Sequence, residues 1–364
     1  MRVCLVCPEV FSWGVYGGFG FLTRLLARNL VERGVEVSVV TRRMSGQGRV
    51  EELEGATVLG YSHGGLGPRG WVEAFQFLRR VDADLYHSQA ISYNTYVALR
   101  AAPAGKHVVT FQDPYNYEEW RRISQVAPEF GSSLHKAWER VEAWFLGHTC
   151  RMVDGLYAQA RFLVPRAMRH FRLRQPPKVL PNPVPIPREP PGKSEAPTVC
   201  FLARWDPQKR VELFLELARR FPEVRFIAMG RSHNPRVDAA LRRRYGGVEN
   251  LWLTGFVGEA EKQRILANSW ALVNTSVREA LPISFLEAFA AGTPVISGED
   301  PDGLVSRFGF KVQGMDYGAG IQWLLESDEW LEKGGRARRY VEENHEEGLV
   351  ADLHIREYGR VLGG

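Results

Sequence analysis

The chain has 364 residues, of which 45% are hydrophobic and 24% charged, and its formal net charge is +5. That length exceeds one ordinary domain and suits two, each able to bury its own core. The composition excludes a disordered or fibrous chain, and no apolar run approaches the length needed to span a bilayer. Net positive charge favours anionic partners in general. No interleaved basic and aromatic run supports nucleic acid as one of them.

The start, "MRVCLVCPEV", lacks the basic flank and the small-residue cleavage site of a signal peptide. It reads as a buried first strand of a cytoplasmic protein. Cys4 and Cys7 form a C-x-x-C, but residues three apart on a strand point to opposite faces, and no second pair completes a metal site. Next comes "VYGGFGFLTR", where Gly17 and Gly18 precede a helix. Glycines there let backbone approach a ligand, and a helix N-terminus favours an anion. The dinucleotide fingerprint is excluded: residues 8–16 make too long a loop, and no acidic residue closes the second strand, "VVTRR".

"FLTRLLARNLVERG" has helical spacing and a closing glycine, Gly34, and "VEVSVVT" is the next strand. "DADLYHS", ending near His87, "KHVVTF", followed by Gln112, and "DGLYAQA" continue the strands, with helices such as "SLHKAWERVEAWFLGHTCRM" between them. Alternation of this kind predicts a parallel sheet with helices on both faces. Residues 161–178 mix Phe162, Leu163, Met168, Phe171 and Leu173 with arginines. They read as the last helix of the first domain, packing its apolar face on the sheet. Weak peripheral contact of the arginines with the inner membrane face is a second expectation.

Residues 175–197 hold nine prolines, which forbid regular helix and central strand and make a stiff linker. A second strand–helix series follows: "TVCFLAR", "KRVELFLELARRFP", "VRFIAMG", "NLWLTGF", "WALVNTS" and "PVIS". The expected organisation is two doubly wound, Rossmann-like α/β domains facing across a cleft. Residues 1–185 form the first, 186–197 the hinge and 198–345 the second, with 346–364 a final helix. In open α/β sheets ligands bind beyond the carboxyl ends of the strands, so the residues that follow each strand carry the functional reading.

In "LARWDPQKRVE", Arg204 lies at a strand end and Lys209 is expected to open the helix. Two cations beside a helix N-terminus suit a diphosphate. In "VREALPISFLEAFAAGTPVIS", Glu279 falls in a strand-end loop, and Pro282 is expected at the first helical position. The amides of Ile283, Ser284 and Phe285 then stand at the helix start. Glu287 falls a little over a turn deeper, among apolar neighbours. A lone buried carboxylate costs several kcal/mol or stays protonated. Ligand hydroxyls of a sugar or ribose would remove that cost, and so would an internal salt bridge.

These motifs together resemble the retaining glycosyltransferases of the GT4 group, which have the GT-B fold. The resemblance covers nearly the whole chain: the Gly17–Gly18 loop, "VLPNPV", Arg204 and Lys209, "LTGFV", and the E-x7-E of Glu279 and Glu287. It implies transfer of a sugar from a nucleotide diphosphate sugar, UDP favoured, to an acceptor hydroxyl. The acceptor, whether glycan, small molecule or lipid-linked sugar, is not identified. The resemblance assigns Glu279 to donor-sugar hydroxyls, Glu287 to the ribose, Arg204 and Lys209 to the diphosphate, and Phe256 and Val257 to the base. The final helix resembles one that crosses back onto the first domain. One departure is Gln112, which stands where such enzymes often carry histidine; it can hydrogen-bond a sugar hydroxyl but cannot titrate. His87 is a second candidate for sugar contact. Asp82 and Asp84 mimic a metal-binding D-x-D but lead into a strand rather than ending one, so neither metal nor cofactor is expected. The rival readings are a non-catalytic nucleotide-sugar binder and a sugar-nucleotide epimerase on the same fold.

Overall fold

A computed structural model describes the chain except residues 11–17, 63–67, 115–116, 128–132 and 189–191. It divides into two compact units. The first comprises Met1–Asn116, Ser132–Pro183 and Glu347–Gly364, the second Tyr117–Gly131 and Val184–Glu346.

The first unit runs β1 (Arg2–Cys7), α1 (Gly18–Val31), β2 (Glu36–Arg42), β3 (Val50–Leu53), β4 (Ala56–Tyr61), α2 (Pro68–Val81), β5 (Leu85–Ser88), α3 (Tyr93–Ala101) and β6 (Lys106–Phe111). After α4 (Tyr117–Val126), which belongs to the second unit, it resumes with α5 (Ser133–Thr149), β7 (Gly155–Ala158), α6 (Leu163–Phe171) and β8 (Lys178–Val179). The sheet order is β3-β4-β2-β1-β5-β6-β7-β8. Every pairing is parallel except β3 with β4. That hairpin is absent from the sequence reading. It turns on Glu54 (φ 52°) and Gly55 (φ 81°), two successive left-handed residues as a tight right-twisted hairpin demands. Burial on both faces explains the unbroken apolar strands. Cys4 and Cys7 fall in different core clusters, on opposite faces of β1 as the strand period requires. Asp82 and Asp84 are tied to Arg2 at the start of β5, each at 2.9 Å.

The second unit contains β9 (Thr198–Leu202), α7 (Val211–Arg220), β10 (Arg225–Met229), α8 (Pro235–Tyr245), β11 (Leu251–Gly255), α9 (Glu259–Asn268), β12 (Ala271–Asn274), α10 (Ile283–Ala290), β13 (Val295–Ser297), α11 (Leu304–Phe308), β14 (Phe310–Lys311), α12 (Tyr317–Glu326) and α13 (Glu329–Asn344). Its sheet, β11-β10-β9-β12-β13-β14, is parallel throughout. The chain winds outward from β9 through β10 to β11, then returns to β12 on the other side of β9. The reversal leaves a switch point between the ends of β9 and β12, where ligands of such sheets bind.

The last helix, α14 (Glu347–Gly363), packs on α1 of the first unit, with Arg28 and Asn29 both donating to Glu347. The linker residue Lys193 is anchored in the second unit. Its ammonium donates to Ser269 O at 2.9 Å and to the Thr293 hydroxyl at 2.5 Å, and burial lowers its pKa to about 7. The α6 segment buries Leu163, Ala167 and Phe171 in its own unit. Pro165 sits in its first turn, where no helical N–H is lost. Among the described residues no helix is long and apolar enough to cross a membrane.

Candidate functional site

The loop after β9 does not lead straight into a helix. Pro207–Lys209 form a 3-10 turn, so Lys209 closes that turn instead of opening α7 as expected. Arg210 follows in the left-handed region (φ 46°), a conformation costly for a side-chain-bearing residue. Its guanidinium compensates by donating to Thr275 O at 2.7 Å and Ser276 O at 3.2 Å in the loop after β12. The Thr275 hydroxyl donates back to Lys209 O at 2.6 Å. The two loops at the switch point are thus laced together, and Lys209 is delivered to Glu279.

Glu279 is buried, with 8% exposure. Its Oε1 accepts from Lys209 Nζ at 2.6 Å, Ser276 Oγ at 2.6 Å and Asn274 Nδ2 at 3.0 Å. Burial pushes this carboxyl up, but the Lys209 ammonium and the other two donors outweigh it and hold the pKa below the ordinary value. Glu279 is therefore an ionised carboxylate at neutral pH. Arg204 stands exposed at the end of β9, with Nε 3.3 Å from Asp206 Oδ2 and Nη1 3.5 Å from His233 Nε2. Beside it, Gly230 (φ 118°) lets the loop after β10 pass close: a Cβ there would lie 1.9 Å from Ala203 O. At the end of β11, Phe256 is 62% exposed and Val257 half-buried.

Pro282 is the N-cap of α10 rather than its first residue, with extended ψ. Phe285 is fully buried and its N–H donates to Pro282 O at 3.1 Å. That removes one of the three amides expected for phosphate; Ile283 and Ser284 open the helix. Glu287 is buried, and the internal ion pair is what the structure contains: Oε1 lies 2.5 Å from Lys262 Nζ, which also meets Glu259 at 2.7 Å. Burial raises the Glu287 pKa, with Lys262 offsetting part of the rise. For Lys262, burial works downward, but Glu287 and Glu259 prevail and raise it.

In the first unit the candidates fare differently. His87 is not open to a ligand. It is fully buried, its Nδ1 is 2.6 Å from the Tyr358 hydroxyl and its Nε2 is 2.8 Å from the Thr110 hydroxyl. Desolvation holds its pKa well below the ordinary value. It is a satisfied core histidine because β5 is central and covered on both faces. Gln112 is also buried and exchanges two hydrogen bonds with Asn182, at 3.0 and 2.8 Å, while Asn182 donates to Gln159 at 2.5 Å. Gly18 is the exposed first residue of α1, and Gly17 lies outside the described residues. No group of three or more His, Cys, Asp or Glu placed to hold a metal occurs among the described residues.

The sequence reading missed Asn274, Ser276, Arg210 and Lys262. The run "VNTS" after an apolar strand was a signal for the first two. Nothing local marks Lys262, a helix away from its partner.

Residues 16–188 match the family model described as glycosyltransferase family 4, and residues 185–344 match the one described as glycosyl transferases group 1. The chain belongs to the GT4-type glycosyltransferases. Solved structures similar to this GT4-type chain include a sucrose-phosphate synthase from Thermosynechococcus elongatus, at TM-score 0.77 and 15% identity over 100% of this chain and 99% of that one. HepE from Anabaena, solved in complex with UDP-glucose, gives TM-score 0.72 and 15% identity over 100% of this chain and 99% of that one. At such identities the likeness is one of fold, and the fold is GT-B. A curated relative, glycosyltransferase 1 domain-containing protein 1 of Xenopus tropicalis, is 23% identical over 164 residues, 43% of this chain and 47% of the relative. The chain thus spans about half the length of the curated relative it matches.

Proposed function

We propose that this GT4-type chain transfers a sugar from a nucleotide diphosphate sugar, UDP favoured, to an acceptor hydroxyl, with retention and without a metal ion. The observation that carries the reading is the ionised Glu279 held against Lys209 at the switch point of the second sheet. The family match and the UDP-glucose complex of Anabaena HepE support it.

In this reading the bond from the anomeric carbon to the β-phosphate oxygen breaks, and its electron pair leaves with the diphosphate. Arg204, Lys209 and the start of α10 stabilise the charge that develops there, which lowers the barrier more than it tightens ground-state binding. Glu279 holds donor-sugar hydroxyls through its carboxylate, and Glu287 accepts from the ribose. The acceptor oxygen attacks from the face the leaving group vacates, and its proton passes to a diphosphate oxygen. Phe256 and Val257 flank the base. Protein cations occupy the role a divalent ion has elsewhere, which is the ground for metal independence.

The test is a turnover assay over UDP-, GDP- and ADP-sugars with a panel of glycan, small-molecule and lipid-linked acceptors, with product stereochemistry read by NMR. Released nucleotide with a retained anomer, unaffected by EDTA, is the expected result. Binding without nucleotide release marks a non-catalytic binder, epimerised donor marks an epimerase, and strict magnesium dependence overturns the metal-free mechanism.

A further inference from the structure

α4 is contributed by the chain between β6 and α5, yet it clusters with the second unit. It packs on the 3-10 turn that carries Lys209, and it ties two further loops at the carboxyl edge of the same sheet. Arg122 donates through one nitrogen, Nη2, to Val277 O and to Glu299 in the loop after β13. Glu119 and Arg278 form an ion pair at 3.3 Å in which both side chains are only 7% exposed. Ile123 within the helix and Ala127 just past its end are both buried.

We propose that Glu119, Arg122 and Arg278 are positioning residues that lock the backbone just before Glu279, so that its carboxylate is pre-aimed at the donor sugar. The proposal rests on the glycosyl-transfer reading. Val277 is held at both polar atoms: its N–H donates to Gln208 O at 2.9 Å, and its carbonyl accepts from Arg122. Arg278 is held by Glu119, and Glu279 by Lys209, Asn274 and Ser276. Three consecutive residues are therefore fixed from three directions. An apolar pair would fill the space beside Arg278 at lower desolvation cost, whereas an ion pair sets direction as well as contact. Direction is what a group aimed at a reacting sugar needs, since a displacement of about 1 Å costs on the order of 10²-fold in rate. Because α4 comes from the first half of the chain, the aim of Glu279 depends on a segment far from it in sequence, which local motifs do not show.

The experiment compares wild type with Glu119→Gln, Arg122→Ala and the charge-swapped Glu119→Arg/Arg278→Glu. Three quantities are measured: nucleotide-sugar turnover, affinity for free UDP, and deuterium exchange across residues 274–285. The expected result is kcat/KM down roughly 10- to 100-fold in the single variants. UDP affinity should stay within about threefold of wild type, a change worth less than 1 kcal/mol. Exchange should be faster at 276–281 and unchanged in α12 and α13. The swapped pair should recover part of the turnover, and Arg122→Lys should recover part of what Arg122→Ala loses. Unchanged exchange and turnover in Glu119→Gln and Arg122→Ala overturn the proposal. So does a parallel fall of turnover, UDP affinity and thermal midpoint, which would make α4 a general support. If wild type releases nucleotide from no sugar donor, the transferase reading fails, while exchange at 276–281 still decides whether α4 locks the loop.

Discussion

The carboxyl edges of the two sheets carry polar side chains of similar burial and different character. In the first unit His87, Gln112, Gln159 and Asn182 are buried neutral groups. The imidazole pairs with Tyr358 and Thr110, and the amides pair with one another. In the second, Lys209 and Glu279 are charged and share their surroundings with Asn274, Ser276 and Arg210. Satisfied neutral groups are inexpensive to bury and can at most orient a hydroxyl, whereas a buried ion pair persists only where geometry and extra donors offset desolvation. The charged pair at these two edges, Lys209 with Glu279, therefore lies in the second unit.

Breaking one polar network in each unit gives the largest contrast. Lys209→Met leaves Glu279 buried without its counter-ion, which costs about 3–5 kcal/mol. With Lys209 in its proposed role beside the leaving diphosphate, turnover should also fall by roughly 10²–10³. Gln112→Ala removes two hydrogen bonds of Asn182, leaving its bond to Gln159, and costs about 1–3 kcal/mol of stability, with a much smaller loss of turnover. Denaturant titration beside steady-state kinetics separates the two. If Gln112→Ala were as inactive as Lys209→Met, the first unit would supply more than orientation.

Glu287 sharpens the comparison within the second unit. Glu287→Gln keeps volume and leaves Lys262 its contact with Glu259, so folding should survive. Loss of the charged acceptor should weaken UDP binding by about tenfold, or 1.4 kcal/mol. Calorimetry with UDP measures it, and wild-type affinity in the variant would confine Glu287 to its ion pair with Lys262.

How far the sequence reveals these sites depends on how local each contact is. The doubly wound strands were legible because both faces are buried and the apolar runs are unbroken, and Glu279 and Glu287 stood out as acids in apolar surroundings. The partner of Glu287 was not legible, because Lys262 reaches it from a separate helix. Nor was the turn that delivers Lys209, because the left-handed Arg210 is held by carbonyls of a loop more than sixty residues away. His87 misled for the opposite reason: a strand-end histidine looks available until the C-terminal helix covers it.

A pH titration separates the units again. The folded pKa of Lys193, about 7, lies below its ordinary 10.5. Between those values the unfolded chain holds the proton and the native second unit does not, so stability climbs as pH rises through that window. His87 is also depressed, from an ordinary 6.5. The native first unit therefore loses stability as pH falls below that value and the unfolded chain takes up the proton. Thermal midpoints recorded from pH 5 to 10 should show both slopes, and Lys193→Met should flatten only the alkaline one. An unchanged alkaline slope would place its origin elsewhere.

The smallest effect concerns lipid. In the first unit α6 turns Leu163, Ala167 and Phe171 inward, leaving Arg161, Arg169, Arg172 and Arg174 at the surface. Without a free apolar face, binding to anionic vesicles has only charge to draw on, and charge is screened over about 10 Å at 0.1 M salt. Co-sedimentation should therefore be weak at low salt and vanish at about 0.5 M, where the screening length is roughly halved. Alanine at Arg169 and Arg172 should abolish what remains. Pelleting that survived high salt would require an apolar insertion, for which Leu163, Ala167 and Phe171, already in the core, are not available.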